Sequence, residues 1–138
     1  MRVDFMLAAE AATVTQDNKI SMLGADLQHI YAPTAPVVIP FFSVVLKIEF
    51  TREEAVGSHV LEILIVNEVT QSSVTIMRNE FANLSPDDTT ETAVLRAIST
   101  NVNTTFSTFG NYSIRAVVDG RVVHNLPIFV QERLHNDH

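Results

Sequence analysis

Hydrophobic and polar residues alternate with a period of two along most of this chain, which is the pattern of half-buried β-strands. The clearest strand is segment 42–50, where Ser43, Lys47 and Glu49 are expected to face outward. A further strand after His59 has Glu62 facing outward. The residues expected to face the core in these two segments are Phe42, Val44, Leu46, Ile48, Phe50, Leu61, Ile63 and Ile65.

The start of the chain predicts a first strand followed by a turn at 16–19, because Asp and Asn favour turn conformations. A second strand is expected from Ile20 to Tyr31, with Gly24 at a bulge. Three prolines then predict that the chain crosses to a second sheet. The expected inner face of the first strand is Val3, Phe5, Leu7, Ala9 and Ala11, and the prolines are Pro33, Pro36 and Pro40.

The middle of the chain is less regular. Residues 51–56 are predicted to form a charged loop, and segment 73–82 a fifth strand at a sheet edge. Ser85 followed by Pro86 is a helix-start signal, so at most one helical turn is expected near 86–91. The alternation from Ile98 to Phe106, rich in Thr, favours a strand after it.

The last third predicts a closing β-hairpin that reverses at Asp119-Gly120. A two-residue turn would place Val118 opposite Arg121. A three-residue loop over 118–120 is preferred, because it keeps charge out of the core. In that register the face of Tyr112, Ile114 and Ala116 pairs with Val122, His124, Leu126 and Ile128.

Composition limits the possible functions. The 138 residues fit one β-sandwich domain of about seven to nine strands over 1–132, with a polar tail at 133–138. A net charge of −7 argues against nucleic acid and membrane partners. The absence of cysteine permits a reducing compartment, and Asp4 and Glu10 interrupt an apolar start too short for a signal peptide, so a cytoplasmic location is expected. Because 46% of residues are hydrophobic and only 18% charged, we expect a homo-oligomer, most simply a homodimer.

No residue pattern predicts catalysis, a metal or a cofactor. His59 and Glu62 would project to opposite faces of a strand, and Ser58 lacks the second glycine of a nucleophile elbow. His124 is expected on the inner face or rim of the sandwich. The remaining candidates are the calcium-like acids Asp87, Asp88 and Glu91, which lack the spacing of a calcium loop, and the tail histidines His135 and His138.

Several residues are expected to have structural roles instead. Tyr112 stands where β-sandwiches have a tyrosine corner, in which the hydroxyl bonds upstream backbone. The four glycines are too dispersed to form a phosphate-binding loop. The predicted structural residues are Gly24, Gly57, Gly110, Tyr112, Asp119 and Gly120.

Taken in order, a set of short motifs resembles a family of small uncharacterised bacterial proteins, a domain of unknown function with an immunoglobulin-like sandwich. The chain departs from that pattern at the first hairpin, where Asn18-Lys19 replaces an expected Gly-Lys. The resemblance implies an antiparallel immunoglobulin-like fold and no activity. The motifs are Glu10-Ala11-Ala12, Asn18-Lys19-Ile20, Leu23-Gly24-Ala25, the Pro-rich link into Phe41 to Phe50, Glu54 through Gly57-Ser58-His59, Gly110-Asn111-Tyr112 and Val118-Asp119-Gly120.

The expected function is a non-catalytic protein-interaction or structural module that self-associates through a sheet face or an edge strand. The alternative is a small-ligand module, for example one that binds carbohydrate through loops at one end of the sandwich. The absence of tryptophan weakens this alternative and leaves Tyr31 and a few Phe residues as platforms. An enzyme is not expected.

Overall fold

A computed structural model describes residues 1–17, 19–82 and 93–133. These residues form nine strands and one short helix. In chain order they are β1 (Arg2–Val14), β2 (Ile20–Ala25), β3 (His29–Ala32), β4 (Val37–Thr51), α1 (Arg52–Val56), β5 (His59–Asn67), β6 (Ser73–Phe81), β7 (Ala93–Phe106), β8 (Gly110–Val118) and β9 (Arg121–Glu132).

The strands form two sheets, one with the order β2-β1-β4-β7 and the other with the order β3-β9-β8-β5-β6. The predicted single all-β sandwich is confirmed. Every neighbouring pair is antiparallel except β3 and β9, which run parallel through the pairing of Ile30 with Val130. The second sheet is therefore mixed, where the sequence predicted antiparallel pairing throughout.

Strand β4 supplies the centre of the core. Its inner residues alternate as predicted, and none of them is more than 2% exposed. In the facing sheet the inner residues of β5 are also buried as predicted, and Ile114 and Ile128 fill the space beside them. The inner residues of β4 are Phe42, Val44, Leu46, Ile48 and Phe50.

The predicted inner face of β1 is confirmed at Val3 and is wrong from Phe5 onward. The register with β4 shifts between Val3 and Phe5, so that Val3 lies opposite Ile48 but Phe5 lies opposite Lys47. A shift of one residue exchanges the two faces of a strand. The buried inner residues of β1 are Met6 and Ala8, and the outer face carries Phe5, Leu7, Ala9 and Ala11.

The predicted second strand is two strands in different sheets. β2 ends at Ala25, and Asp26 adopts a left-handed φ of 64°, which turns the chain towards the second sheet. Pro33 and Pro36 lie between β3 and β4, where the chain does cross between sheets, but β4 pairs with β1 in the first sheet and not in a second sheet as predicted. Pro40 does not break a strand, because it lies inside β4 at a register shift.

The predicted charged loop at 51–56 is helix α1. Thr51 caps it, because its side-chain oxygen accepts a hydrogen bond from the Glu54 amide at 3.2 Å. The Glu54 carboxylate in turn accepts from the Thr51 amide at 2.9 Å. The helical turn expected at 86–91 lies outside the described residues. The predicted edge strand near 73–82 and the predicted strand through 98–106 are both confirmed, as β6 and β7.

The closing hairpin uses the two-residue turn, so the preferred three-residue loop is wrong. Val118 lies opposite Arg121, and Asp119 and Gly120 have left-handed φ values of 52° and 79°. A register shift after Val117 then restores the apolar face, because Ala116 lies opposite His124 and Ile114 opposite Leu126. This bulge, and not a three-residue loop, keeps charged side chains out of the core.

Tyr112 forms the hydrogen bond of a tyrosine corner. Its hydroxyl donates to the carbonyl oxygen of Thr108 at 2.9 Å, four residues upstream. Its buried ring packs edge-on against Phe106, with centroids 4.8 Å apart. The corner therefore fixes the chain between β7 and Gly110, the first residue of β8.

At the carboxyl end of β9, Arg133 still contacts the fold. Its amide donates to the Ala32 carbonyl at 2.9 Å, and its guanidinium lies 4.9 Å from the ring centroid of Tyr31. The rest of the predicted tail, 134–138, lies outside the described residues, and the division at 132/133 stays a prediction.

Leu46→Ala is expected to destabilise the protein by about 2–5 kcal/mol, because Leu46 is fully buried and its truncation leaves a cavity in the core. Denaturant unfolding followed by circular dichroism measures this. Val38→Ala, in the same strand but 62% exposed, is the matched control and is expected to change stability by less than about 0.5 kcal/mol. Equal losses from both would contradict the assignment of the core.

Tyr112→Phe is expected to cost about 0.5–1.5 kcal/mol, because it removes the bond to Thr108 while keeping the buried ring. Tyr31→Phe is the control, since the Tyr31 side chain is about half exposed. Thermal unfolding of both variants compares them. An unchanged melting temperature for Tyr112→Phe would show that the corner does not stabilise the fold.

Candidate functional site

His59 and Asp119 meet at one end of the sandwich. His59 Nδ1 lies 2.7 Å from Asp119 Oδ2. The other carboxylate oxygen accepts from the Val60 amide at 2.9 Å, and the Asp119 amide donates to the Val60 carbonyl. The pairing of Leu61 with Val118 brings these residues together, because it aligns the start of β5 with the end of β8.

The second ring nitrogen of His59 is also engaged. Nε2 lies 2.6 Å from the carbonyl oxygen of Glu54 in helix α1, and the imidazole stacks on Phe50 with centroids 5.2 Å apart. Both nitrogens thus face acceptors, which favours the imidazolium because only that form donates from both. His59 therefore ties α1 and the β8–β9 turn to the start of β5.

These contacts move the pKa values of both partners. The Asp119 carboxylate, followed by the Glu54 carbonyl, raises the pKa of His59 above its ordinary value of 6.5. The bond from His59, followed by the Val60 amide, lowers the pKa of Asp119. The Met1 amino group, 2.5 Å from Glu54 Oε1, is the main cause that lowers the pKa of the Glu54 carboxyl.

The arrangement of His59 fits a structural role. A general base or a metal ligand needs a free nitrogen lone pair, and both nitrogens of His59 are bonded within the fold. Glu62 lies on the opposite face of β5, in register with Val117, as expected. Ser58 is exposed just before β5, and Gly57 has an extended backbone with φ −82° and ψ −179°, which other residues also adopt.

His124, the other histidine candidate within the described residues, lies on β9, two strands away from β5 and His59 in the sheet. His124 lies opposite Ala116 on the inner face, half-buried, as predicted. Within the described ranges, no group of three His, Asp or Glu side chains is placed to hold a metal ion. The candidates Asp87, Asp88, Glu91, His135 and His138 lie outside those ranges.

Two features of this end of the sandwich were missed in the sequence. The spacing of Thr51 and Glu54 is that of a capping box and was sufficient to predict α1. The pairing of His59 with Asp119 joins residues 60 positions apart, and no local pattern marks it.

Part of the outer face of the five-stranded sheet is formed by polar side chains that pair with one another. The Glu68 carboxylate accepts hydrogen bonds from the Ser113 hydroxyl and, at 3.0 Å, from the Arg115 guanidinium. The Ser113 bond, followed by Arg115, lowers the pKa of Glu68. Arg115 also donates to the Asn125 side chain at 3.2 Å. This face has the character of a solvated surface.

The four-stranded sheet has a different outer face. At one end Arg2 pairs with Glu49 at 2.6 Å, and in the middle the buried Ser43 hydroxyl donates to Asn101 at 3.0 Å. At the other end the surface is apolar. There an open depression of about 450 Å³ is lined by residues that include Ala11, Leu23 and Phe41, and we call these three residues the outer patch.

The outer patch continues onto a hairpin that we call the apolar hairpin, the paired segments 9–14 and 20–25. All residues of β2 after Ile20 are exposed, on both faces of the strand. Leu23 is 68% exposed and Phe41 is 51% exposed. Gly24, with a φ of 62°, lies beneath the side chain of Glu10, which a Cβ atom would meet at 2.6 Å. The described turn residues lie where the sequence predicted, and Asn18 is outside the described residues.

Comparison with known proteins identifies the family. A profile described as "Family of unknown function (DUF6941)" matches residues 4–131, nearly the whole chain. The chain belongs to DUF6941. This confirms the predicted membership of an uncharacterised family. A search of curated proteins found no match to this chain. Among the described residues of this DUF6941 protein, no helix has the length and apolar character needed to span a membrane.

The His59–Asp119 pair predicts how the stability of this DUF6941 protein depends on pH. Because the pKa of His59 is raised, its contribution is fully present below pH 6.5 and is lost as pH rises through the folded-state pKa. Because the pKa of Asp119 is lowered, its contribution is present above its ordinary value of 3.8 and is lost as pH falls through the folded-state pKa.

Unfolding free energies measured by denaturant titration across this range test the prediction. His59→Gln is expected to remove the decline on the alkaline side. His124→Gln is the matched control, because it removes a histidine outside the pair and is expected to keep that decline. An identical alkaline decline in wild type and His59→Gln would contradict the role given to His59.

Proposed function

We propose that this protein is a non-catalytic interaction or structural module that self-associates through the apolar hairpin and the outer patch. The observation that carries the proposal is β2, whose residues after Ile20 are all exposed although several are apolar. A two-stranded hairpin needs an apolar face packed against other structure to be stable in water. Among the described residues, the core does not cover β2, and a second protein surface would supply the missing burial.

The energetic gain from covering this surface is substantial. Burying one Leu or Phe side chain contributes about 1.5–3 kcal/mol, so Leu23 and Phe41 alone favour association by several kcal/mol before entropic costs. On the outer face of the other sheet, an apolar contact would have to bury the Glu68–Arg115 ion pair. The proposal therefore assigns the interface to the four-stranded sheet.

The engagement of His59 supports a non-catalytic function, since the one His–Asp pair described above is bonded on both sides of the ring. Small-ligand binding gains less support. Tyr31, the expected sugar platform, has the Arg133 guanidinium over its ring and His29 parallel to it, with ring centroids 6.0 Å apart. Carbohydrate binding stays a prediction without an observation that favours it.

We also propose the finer features that the resemblance implied. The tyrosine corner at Tyr112 supports an immunoglobulin-like type of sandwich. The absence of cysteine is compatible with the cytoplasm, and a bacterial origin stays a prediction from the resemblance.

Leu23→Glu tests the proposed interface. Sedimentation velocity is expected to show a dimer for the wild type and a monomer for this variant, because the change puts a carboxylate into the apolar contact. The control is Val69→Glu, in the β5–β6 turn and 82% exposed, which is expected to stay dimeric. A monomeric wild type at every concentration measured would contradict self-association.

A further inference from the structure

Four strands lie at sheet edges in the part of the chain that the structure describes, namely β2, β7, β3 and β6. Native edge strands avoid pairing with other chains by being short or by carrying charges or proline. β6 carries Arg78 and Glu80, β7 carries Arg96, and β3 has four residues and is followed directly by Pro33. β2 has six residues, Ile-Ser-Met-Leu-Gly-Ala, with no charge and no proline. It has no charge or proline along its length, and its one backbone irregularity is Gly24, with a φ of 62° near the end of the strand.

We infer that β2 pairs antiparallel with β2 of a second copy about a two-fold axis, which joins two four-stranded sheets into one of eight strands. The inference rests on the proposed function, self-association, and adds the partner strand and its direction. Edge pairing of this kind satisfies the backbone groups that an edge strand leaves free.

The charge pattern favours a second copy as the partner. In a two-fold pairing each residue lies opposite itself or a residue equally far from the axis. A charged residue at the axis would face the same charge on the other copy, and β2 has no charged residue at any position. Each copy has a net charge of −7, so a contact formed by a neutral strand limits repulsion between the copies.

The residues that flank β2 carry opposite charges. Lys19 precedes the strand and Asp26 follows it. Antiparallel pairing places Lys19 of each copy beside the end of the strand where Asp26 of the other copy lies, and symmetry gives two such contacts. In the single chain the Lys19 ammonium lies 3.5 Å from Asp17 and its side chain is 80% exposed, so it remains available to a partner. Exposed ion pairs add little affinity, but they select the direction and register of pairing.

The apolar surfaces also become continuous in this arrangement. A two-fold axis perpendicular to the sheet keeps the outer faces of the two copies on the same side. The exposed side chain of Leu23 then lies near the axis, and the two outer patches adjoin across it. The two-fold pairing places apolar residues of the two copies in contact and so covers apolar side chains of β2 that are exposed in the single chain.

Cysteine cross-linking tests the geometry, and the chain has no native cysteine to interfere. The axis of a six-residue strand pair passes near its middle, at Met22 or Leu23, and a residue at the axis faces its own copy across about 4.5–5.5 Å. That spacing suits a disulfide. Met22→Cys and Leu23→Cys are therefore oxidised mildly and compared with Val74→Cys, an exposed position in edge strand β6.

We expect a covalent dimer, seen on non-reducing gels, from at least one of the two β2 variants and none from Val74→Cys. A sample that sediments as a dimer but gives no cross-link at β2 would overturn this inference and leave the proposed function standing. Samples that are monomeric throughout would overturn both.

Charge reversal checks the direction of the pairing independently. Lys19→Glu and Asp26→Lys are each expected to weaken dimerisation about 2- to 30-fold, and the double variant to dimerise more tightly than Asp26→Lys alone. Both Asp26→Lys and the double variant carry lysine at position 26, where φ is 64°, so any backbone strain caused by that substitution is the same in the two proteins. No recovery in the double variant would contradict the antiparallel arrangement.

Discussion

The alternation of β4 is the constraint on which the other strands depend. This 15-residue strand pairs with β1 on one side and β7 on the other, and its inner face is apolar from Phe42 to Phe50. A slip of one residue would expose that whole face and bury Lys47 and Glu49. Because β4 cannot slip, its neighbours take their registers from it, with Ala8 and Thr100 on either side of Val44. The facing sheet then packs on the layer so formed.

This dependence explains where sequence patterns predicted the fold and where they failed. In β4 and β5 one face is clearly more apolar, and the predicted inner residues are the observed ones. In the middle of β1, from Phe5 to Ala9, both faces are apolar, so the pattern alone could not choose between them. The shift between Val3 and Phe5 chose the face that holds Met6 and Ala8. The parallel pairing of β3 with β9 was equally hidden, because it joins strands about 100 residues apart along the chain.

The end of the sandwich around His59 shows the same limit for a site. The sequence sufficed to argue that His59 and Glu62 lie on opposite faces. It did not show that Asp119 approaches one ring nitrogen and the Glu54 carbonyl the other, because that arrangement depends on the register of β5 with β8 and on α1. The two-residue Asp119-Gly120 turn also positions the carboxylate of Asp119. Asp119 thus has two roles, because its backbone adopts the left-handed φ of the turn and its carboxylate contacts the distant His59.

The distribution of charge connects these structural roles to function. In the five-stranded sheet Glu68 is paired with Arg115, and His59 is held by Asp119. These contacts stabilise the single chain. The apolar hairpin is the opposite case, because its exposed residues gain nothing from the core and order a hairpin that water does not stabilise. The proposed self-association would supply a covering surface for β2.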